Sequence, residues 1–340
     1  MGILGRLLHR GGAAQQDDAR HTAQTAERIA AAIPQLKLAR QYQARLAPAV
    51  RATLDHAAQL VAALPAPRAA NANAWSADPY IHAFFATAAD VCATFGRSHE
   101  LRAWFDEHFD CAEAYAVLGM EMAERRVLGV AEQHGATRTD VEQTTLSFSD
   151  HRVRICARSV AELHDEILRR IVDQFALEAL AQIAQDKSRR AALEQQRALL
   201  KARAQLLQKQ GAGMHAMTSA QAPAGLVERA RLQREIEANE QSLAELGLQS
   251  DAIERQFDIV QQVFAQPALQ TYVTVKRVRL NRMNVVVAAG GTQAADELEL
   301  RIARVPGDPS EMRAFSIVQF QRCDLPPASS LFDDASRLVL

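Results

Sequence analysis

Between residues 232 and 264 the apolar positions recur on a seven-residue period, Ile236, Leu243, Ser250, Phe257 and Phe264, interleaved with Leu232, Asn239, Leu246, Ile253 and Val260. Spacings of three and four residues put these positions on one narrow stripe of a helix, and such a stripe leaves water only by packing against a second helix. Residues 186–209 offer that partner, with Leu193, Leu200 and Leu207 at the same spacing and Leu199 and Leu206 beside them. The segment between, Gly211 to Gly225, is rich in Gly, Ala, Met and Pro and predicts a non-helical tip. The pattern therefore predicts an antiparallel coiled-coil arm. Charge agrees with it: residues 186–209 hold seven basic and two acidic groups, a net of +5, and residues 226–264 hold four basic and eight acidic groups, a net of −4. Exposed ion pairs contribute only about 0.2 to 1 kcal/mol each, so the apolar seam holds the helices together and the charges select the partner.

Helical spacing also runs through His21–Ile33 and, past Pro34, through Leu36–Leu64, where Leu46, Val50, Leu54, Leu60, Val61 and Leu64 form one stripe. The three prolines from Pro65 to Pro79 predict a linker. Residues 80–134 predict three helices, Ile81–Phe95, Ser98–Phe109 and Ala112–His134, the last burying Ala114, Val117, Leu118, Met122, Val127 and Leu128. Strand-like runs follow at Thr144–Phe148 and Arg152–Ala157, and Ser149, Asp150 and His151 between them predict the turn of a β-hairpin. Ser159 opens a very long helix whose wide first stripe, Val160 to Ile183, narrows into the leucines of the arm; helix 226–264 returns and stops at Pro267. Alternating segments at Thr271–Val287, around Leu298, Leu300 and Ile302, and at Arg313–Phe320 predict three antiparallel strands, with turns at Ala288–Ala295, including Gly290-Gly291, and at Val305–Ser310.

The fold class expected is thus mainly α with a smaller β part (α+β). An N-terminal helical region (1–64) is followed by a linker (65–79), a helical core (80–183) with a β-hairpin near 144–157, the arm (184–266, tip 211–225) and a C-terminal antiparallel β unit (267–340).

Composition narrows the function. With 48% apolar residues the chain can bury a core, and with 5% aromatics and many alanines it favours closely packed helices. A net charge of −1 from 39 basic and 40 acidic residues supplies no global field toward nucleic acid or an anionic membrane. Cys92, Cys111, Cys156 and Cys323 are far apart and form no C-x-x-C pair, so free thiols in a reducing cytosol are expected. No run approaches the roughly 18 apolar residues of a membrane span. The first ten residues are too short for a secretory signal, and Arg6 stands where a myristoylation site needs Ser or Thr. Ile3, Leu4, Leu7 and Leu8 share one side of a short helix that can rest on the inner face of a membrane, so the location expected is cytoplasmic and at most peripheral.

Catalytic signatures are absent from the sequence: it has no P-loop, no dinucleotide fingerprint, no H-E-x-x-H and no G-x-S-x-G, and no cofactor is called for. His108 and Cys111, three apart, would share a face on a continuous helix and with His99 form the metal candidates, although two ligands in one segment do not complete a site. Ser147, Ser149, Asp150 and His151 include the residue types of a hydrolytic triad, but triads are assembled from separate elements, and a turn is preferred. Lys276, Arg277, Arg279 and Arg282 form the densest basic run, an anion-binding candidate. A strand would divide them between two faces and set them against Glu297 and Glu299. Met214, His215 and Met217 give the arm's tip an adaptable apolar contact surface, and fifteen residues exceed what a helical hairpin needs for its connection.

The function expected is a non-enzymatic cytoplasmic scaffold or adaptor that binds a protein partner through the arm and the C-terminal β unit. The alternatives are a nucleic-acid-binding module on Lys276–Arg282 and a metal-dependent enzyme around His99, His108 and Cys111.

Overall fold

A computed structural model of the protein describes residues 3–133, 136–215, 223–247, 251–288, 293–305 and 311–327. In chain order the elements are α1 (Ile3–Ala32), a 3-10 turn (Pro34–Leu38), α2 (Tyr42–Ala62), β1 (Arg68–Ala69), α3 (Ala72–Ala77), α4 (Pro79–Phe84), α5 (Ala88–Arg97) and α6 (His99–Glu107). Then come β2 (Glu113–Gln133), β3 (Ala136–Ala157), α7 (Val160–His215), α8 (Pro223–Glu245), α9 (Ala252–Ala265), α10 (Pro267–Gln270), β4 (Tyr272–Leu280), β5 (Asp296–Val305) and β6 (Glu311–Gln321). Helices and an antiparallel sheet make the protein a member of the mixed α+β class, as the hydrophobic pattern predicts. Two compact units divide it, each built from two separated stretches: residues 1–51 with 175–265, and residues 52–174 with 266–340.

The first unit is helical. Thr22, Thr25, Ala26, Ile29 and Ala30 of α1 are buried at helical spacing, and Pro34 starts the tight turn that buries Leu36. Phe175, Ala176, Ala179 and Ile183 of α7 and Phe257, Val260, Val263 and Phe264 of α9 are buried in the same unit, with the rings of Phe175 and Phe264 edge to face at 5.8 Å. The Arg45 guanidinium lies 4.0 Å above the Phe257 ring and meets Glu254 at 2.7 Å, tying α2 to α9.

Beyond this bundle α7 and α8 run antiparallel. Contacts between them descend α8 as they ascend α7: Arg190 donates to the Gly247 carbonyl, Asn239 Nδ2 donates to Gln196 Oε1 at 3.4 Å, and Arg203 pairs with Glu228. Leu232, Ile236 and Leu243 are buried in the seam against the half-buried Leu193, Leu200 and Leu207. Two expectations are corrected here. The predicted non-helical tip begins later, because α7 continues through Gly211 and Gly213 to His215; a helical glycine costs about 1 kcal/mol against alanine but does not stop the ladder. Pro223 takes a place at the start of α8, where its missing N–H is no loss. The predicted continuous helix 226–264 is two helices, because Gly247 adopts φ +75° and ends α8.

The second unit holds a six-stranded sheet in which β3, β2, β6, β5 and β4 follow in order and β1 pairs parallel with β6 at Val318 and Gln319. After β4 the chain turns at Asn281–Asn284 and bridges Val285 to Thr145 of β3 and Val286 to Leu280, so the two edge strands are joined through this segment. Ala114, Ala116, Leu118 and Met120 of β2, Leu298 and Leu300 of β5 and Val318 and Phe320 of β6 face a core shared with Ile81, Phe84, Phe85, Val91, Phe95, Leu101 and Phe105 from α4–α6. On the other face Tyr115 and Val117 pack with Leu64, Leu163, Ile167 and Ile317.

Here the sequence reading is corrected most. The helix expected over 112–134 is instead strand β2 (Glu113–Gln133); between Ala114 and Met120 both of its faces meet protein, so its apolar residues there do not alternate with polar ones and Ala, Leu and Met obscured the two-residue period, while Val127 and Leu128, expected to be buried, are exposed. The hairpin expected at 144–157 is the much larger β2–β3 pair, and Ser149-Asp150-His151 is no turn but the interior of β3 at a bulge. Ile81–Phe95 is divided between α4 and α5 by a capping box in which Thr87 and Asp90 exchange side-chain and backbone hydrogen bonds. The strand expected at 271–287 stops at Leu280, and the turn after it is held by Asn281 Oδ1, which accepts from Met283 N and Val285 N. Among the described residues no helix is long and apolar enough to cross a membrane.

Candidate functional site

Two places in the fold carry more structure than folding alone requires. The first is an open cleft of about 480 Å³ between α6, the end of β3 and the start of α7, lined by His99, Glu100, Trp104, Arg154, Cys156 and Glu166 among others. It is built on a bulge. Between Tyr115 and Val117 the β2–β3 register slips by one residue, and Ile155 takes φ +57°, a left-handed conformation that a β-branched side chain disfavours. Glu100 holds it there: its Oε1 accepts the Ile155 N–H at 2.8 Å and its Oε2 meets the Arg154 guanidinium at 3.2 Å. Cys156 is largely buried, and burial, helped by the Glu100 carboxylate, pushes its thiol up to about 12. A thiol so raised is no nucleophile near neutral pH. The other cations of the cleft are engaged too, Arg169 and Arg170 both on Glu166 at 3.1 and 2.9 Å.

The second place is the surface of the α7–α8 hairpin. The apolar stripe of α8 is buried within the chain, yet Leu199, Leu206 and Val227 are 66%, 61% and 68% exposed outside it. A charged row accompanies them, in which Lys201 pairs with Glu240 at 2.7 Å, Arg203 with Glu228, and Arg231 with Glu235 at 2.9 Å.

The residues singled out from the sequence are distributed as follows. His99 reaches the cleft, but α6 ends at Glu107, so His108 and Cys111 have no common helix face. His108 instead caps the helix, its Nδ1 donating to the Trp104 carbonyl at 2.8 Å and its ring stacked on Trp104 at 4.5 Å. Among the described residues no three of His, Cys, Asp and Glu stand together as metal ligands would. The hydrolytic residue types are spent on structure: Ser147 donates to the Ala123 carbonyl, and His151 donates to the Phe84 carbonyl at 2.8 Å and stacks on Phe85. Asp150, at φ +48° in a second bulge, is clamped by Arg313 at 2.7 Å and Arg152 at 2.8 Å, which hold its carboxyl below the usual range.

The basic run splits as strand geometry predicts. Lys276 meets Glu124 of β2, Arg277 meets Glu299 of β5 at 2.9 Å, and Arg279 donates to the Ala288 carbonyl at 3.4 Å, so these cations converge on no common point. Arg282 is exposed in the turn after β4, where its own carbonyl accepts from His82. Met217, Gly290, Gly291 and residues 306–310 lie outside the described residues, as do the side chains of Met214, His215, Ile3, Leu4, Leu7 and Leu8.

Sequence reasoning missed Glu100 and Ile155, because nothing local announces a strained residue whose clamp comes from a helix some fifty positions away. Leu199 and Leu206 were visible as a second set of leucines beside the seam. Compared with protein-family models, curated proteins and solved structures, the chain matches none of them.

Proposed function

We propose that the protein is a non-enzymatic scaffold or adaptor whose α7–α8 hairpin carries a surface for a protein partner. The observation that carries this reading is the second set of exposed leucines on α7. The seam leucines are already covered by α8, and Leu199 and Leu206 remain in water one heptad apart on the same helix. Large aliphatic side chains repeated at seven-residue spacing on an exposed helix mark a surface that another helix covers. Reduced Cys92, Cys111, Cys156 and Cys323, none of them paired, support a cytoplasmic location. The nucleic-acid reading loses support from the carboxylates that already engage Lys276 and Arg277.

Site-specific photo-crosslinking in the native host tests the proposal. A photoreactive residue at Leu206 should yield an adduct with another polypeptide, and one at Gln233, on the other side of the seam, should not. Absence of any adduct from Leu199, Leu206 and Val227 would end the scaffold reading.

A further inference from the structure

After β6 the chain turns along the helices that cover the sheet. Residues 322–327 begin with a 3-10 turn (Arg322–Asp324) and form a strap. Arg322 anchors it, its Nε donating to the Cys111 carbonyl at 2.9 Å and its Nη2 to the carbonyls of Phe105 and His108 at 2.8 and 2.5 Å, at and beyond the end of α6. Leu325 packs on the core, and Arg102 of α6 donates to the Pro326 carbonyl at 2.7 Å. Pro326 lies so close over Gly96 of α5 that a Cβ there would overlap its ring. Three separate contacts thus seat the strap.

The strap also brings two thiols to one place. Glu113 faces Gln321 in the β2–β6 ladder, and the next step is paired as well, the Arg322 N–H donating to the Ala112 carbonyl at 2.8 Å. Cys111 precedes Ala112 and Cys323 follows Arg322, so in antiparallel order they are the next two residues to oppose each other. Opposed residues stand about 4.5 to 5.5 Å apart at Cα, and a disulfide spans about 4.4 to 6.8 Å. Both segments bend beside the end of α6, Cys111 N donating to the His108 carbonyl at 3.1 Å, and the Arg322 side chain bridges them. Cys323 is exposed and Cys111 half-buried. Each thiol donates within its own segment, Cys111 to Asp110 at 3.9 Å and Cys323 to Gln321 at 3.5 Å and Asp324 at 4.0 Å. Cys156 belongs to β3, across β2 from β6, and Cys92 to α5, one helical turn before Gly96.

We propose that Cys111 and Cys323 form a thiol–disulfide modification site, at which a low-molecular-weight disulfide such as oxidised glutathione makes an intramolecular bridge that locks the strap onto α5 and α6. The thiolate of the exposed Cys323 attacks one sulfur of the small disulfide, forming a mixed disulfide and releasing one small thiolate. The Cys111 thiolate then attacks the Cys323 sulfur and releases the second. One S–S bond forms in the protein for the one broken in the reagent; two electrons pass from the cysteines to the small disulfide, and the two cysteine protons leave on the released thiols. Free thiols in a reducing compartment are compatible with such a bridge, because disulfides formed there are usually transient and redox-sensing.

The experiment treats the reduced full chain with oxidised glutathione under native conditions, blocks the remaining thiols and maps the peptides by mass spectrometry. A reductant-sensitive peptide joining Cys111 to Cys323 should appear, lighter by two hydrogen masses and carrying no glutathione. The same bridge should form in the Cys92→Ser, Cys156→Ser double variant. In Cys111→Ser the reaction should stop at the first step, with glutathione retained on Cys323. Oxidation should raise the melting temperature of the wild-type chain and slow hydrogen exchange at the Leu325 amide, and should do neither in Cys111→Ser. Glutathione retained on Cys323 of the wild-type chain, a bridge from Cys323 to Cys92 or to a second chain, or no reaction at either thiol would overturn the site. A Cys111–Cys323 bridge that leaves Leu325 exchange unchanged would overturn the lock.

Discussion

A left-handed isoleucine needs an external hold, and Glu100 provides it with one carboxylate oxygen on the Ile155 amide and the other on Arg154. The Arg154 contact is exposed and worth little, whereas leaving a half-buried amide without an acceptor costs about 1 to 3 kcal/mol. Glu100→Ala should therefore lower the unfolding free energy by about that amount in urea titration, while Arg154→Ala changes it by less than about 0.5 kcal/mol. Equal effects would place the clamp on the ion pair instead. The neighbouring Cys156, with its thiol raised to about 12, should resist iodoacetamide in the native protein at mildly alkaline pH, and the exposed Cys323 should be alkylated first. Peptide mapping decides the order, and early labelling of Cys156 would contradict its burial. His151 gives a pH signature of definite sign. Burial under Phe85 lowers its proton affinity, so the unfolded chain binds the proton more readily and the folded state loses stability as pH falls below about 6.5. The stability lost in His151→Phe should accordingly be larger at about pH 7.5 than at about pH 5.5, measured by denaturant midpoint.

At the scale of elements, the hairpin was legible because both of its helices show one face to a partner and the rest to water, so the seven-residue period survives in the residue types. Strand β2 was not legible for the converse reason. Its Ala114, Ala116, Leu118 and Met120 meet α4–α6 while Tyr115 and Val117 meet Leu64 and Ile167, and a strand covered on both faces shows no contrast to read. The cleft was half visible. His99 was singled out as a metal candidate, but Arg154, Ile155 and Cys156 opposite it come from β3, and only the fold brings them together. Within the hairpin, Asn239 occupies a seam position between Ile236 and Leu243, is buried, and has no partner for its Oδ1 among the described residues. A polar side chain in such a seam fixes register at the expense of stability. Asn239→Leu should raise the melting temperature and broaden the distance distribution between spin labels on Gln205 and Gln233. A drop in melting temperature would show that the Gln196 hydrogen bond at 3.4 Å stabilises more than the apolar side chain would.

Across the whole molecule, each compact unit draws on two distant stretches of chain, an arrangement that a reading from one end to the other does not reveal. The consequence is that neither unit is obtained by cutting the sequence once, while the described core of the helical unit lies mostly outside the hairpin. The largest buried side chains there, Ile29, Ile33, Leu36, Leu46, Phe175, Phe257 and Phe264, all lie outside residues 187–250, and among the described residues the hairpin adds Leu232, Ile236 and Leu243 to the buried aliphatics. Asp186 and Asp251 stand at the feet of the two arm helices, so a short Gly-Ser turn in place of residues 187–250 reconnects α7 to α9 in the order the chain already follows. A chain shortened in this way should keep its near-ultraviolet circular dichroism and a cooperative melt while losing the Leu206-dependent partner. A non-cooperative melt would show instead that the hairpin is part of the folding core, and it would then be a structural brace whose exposed leucines require another explanation.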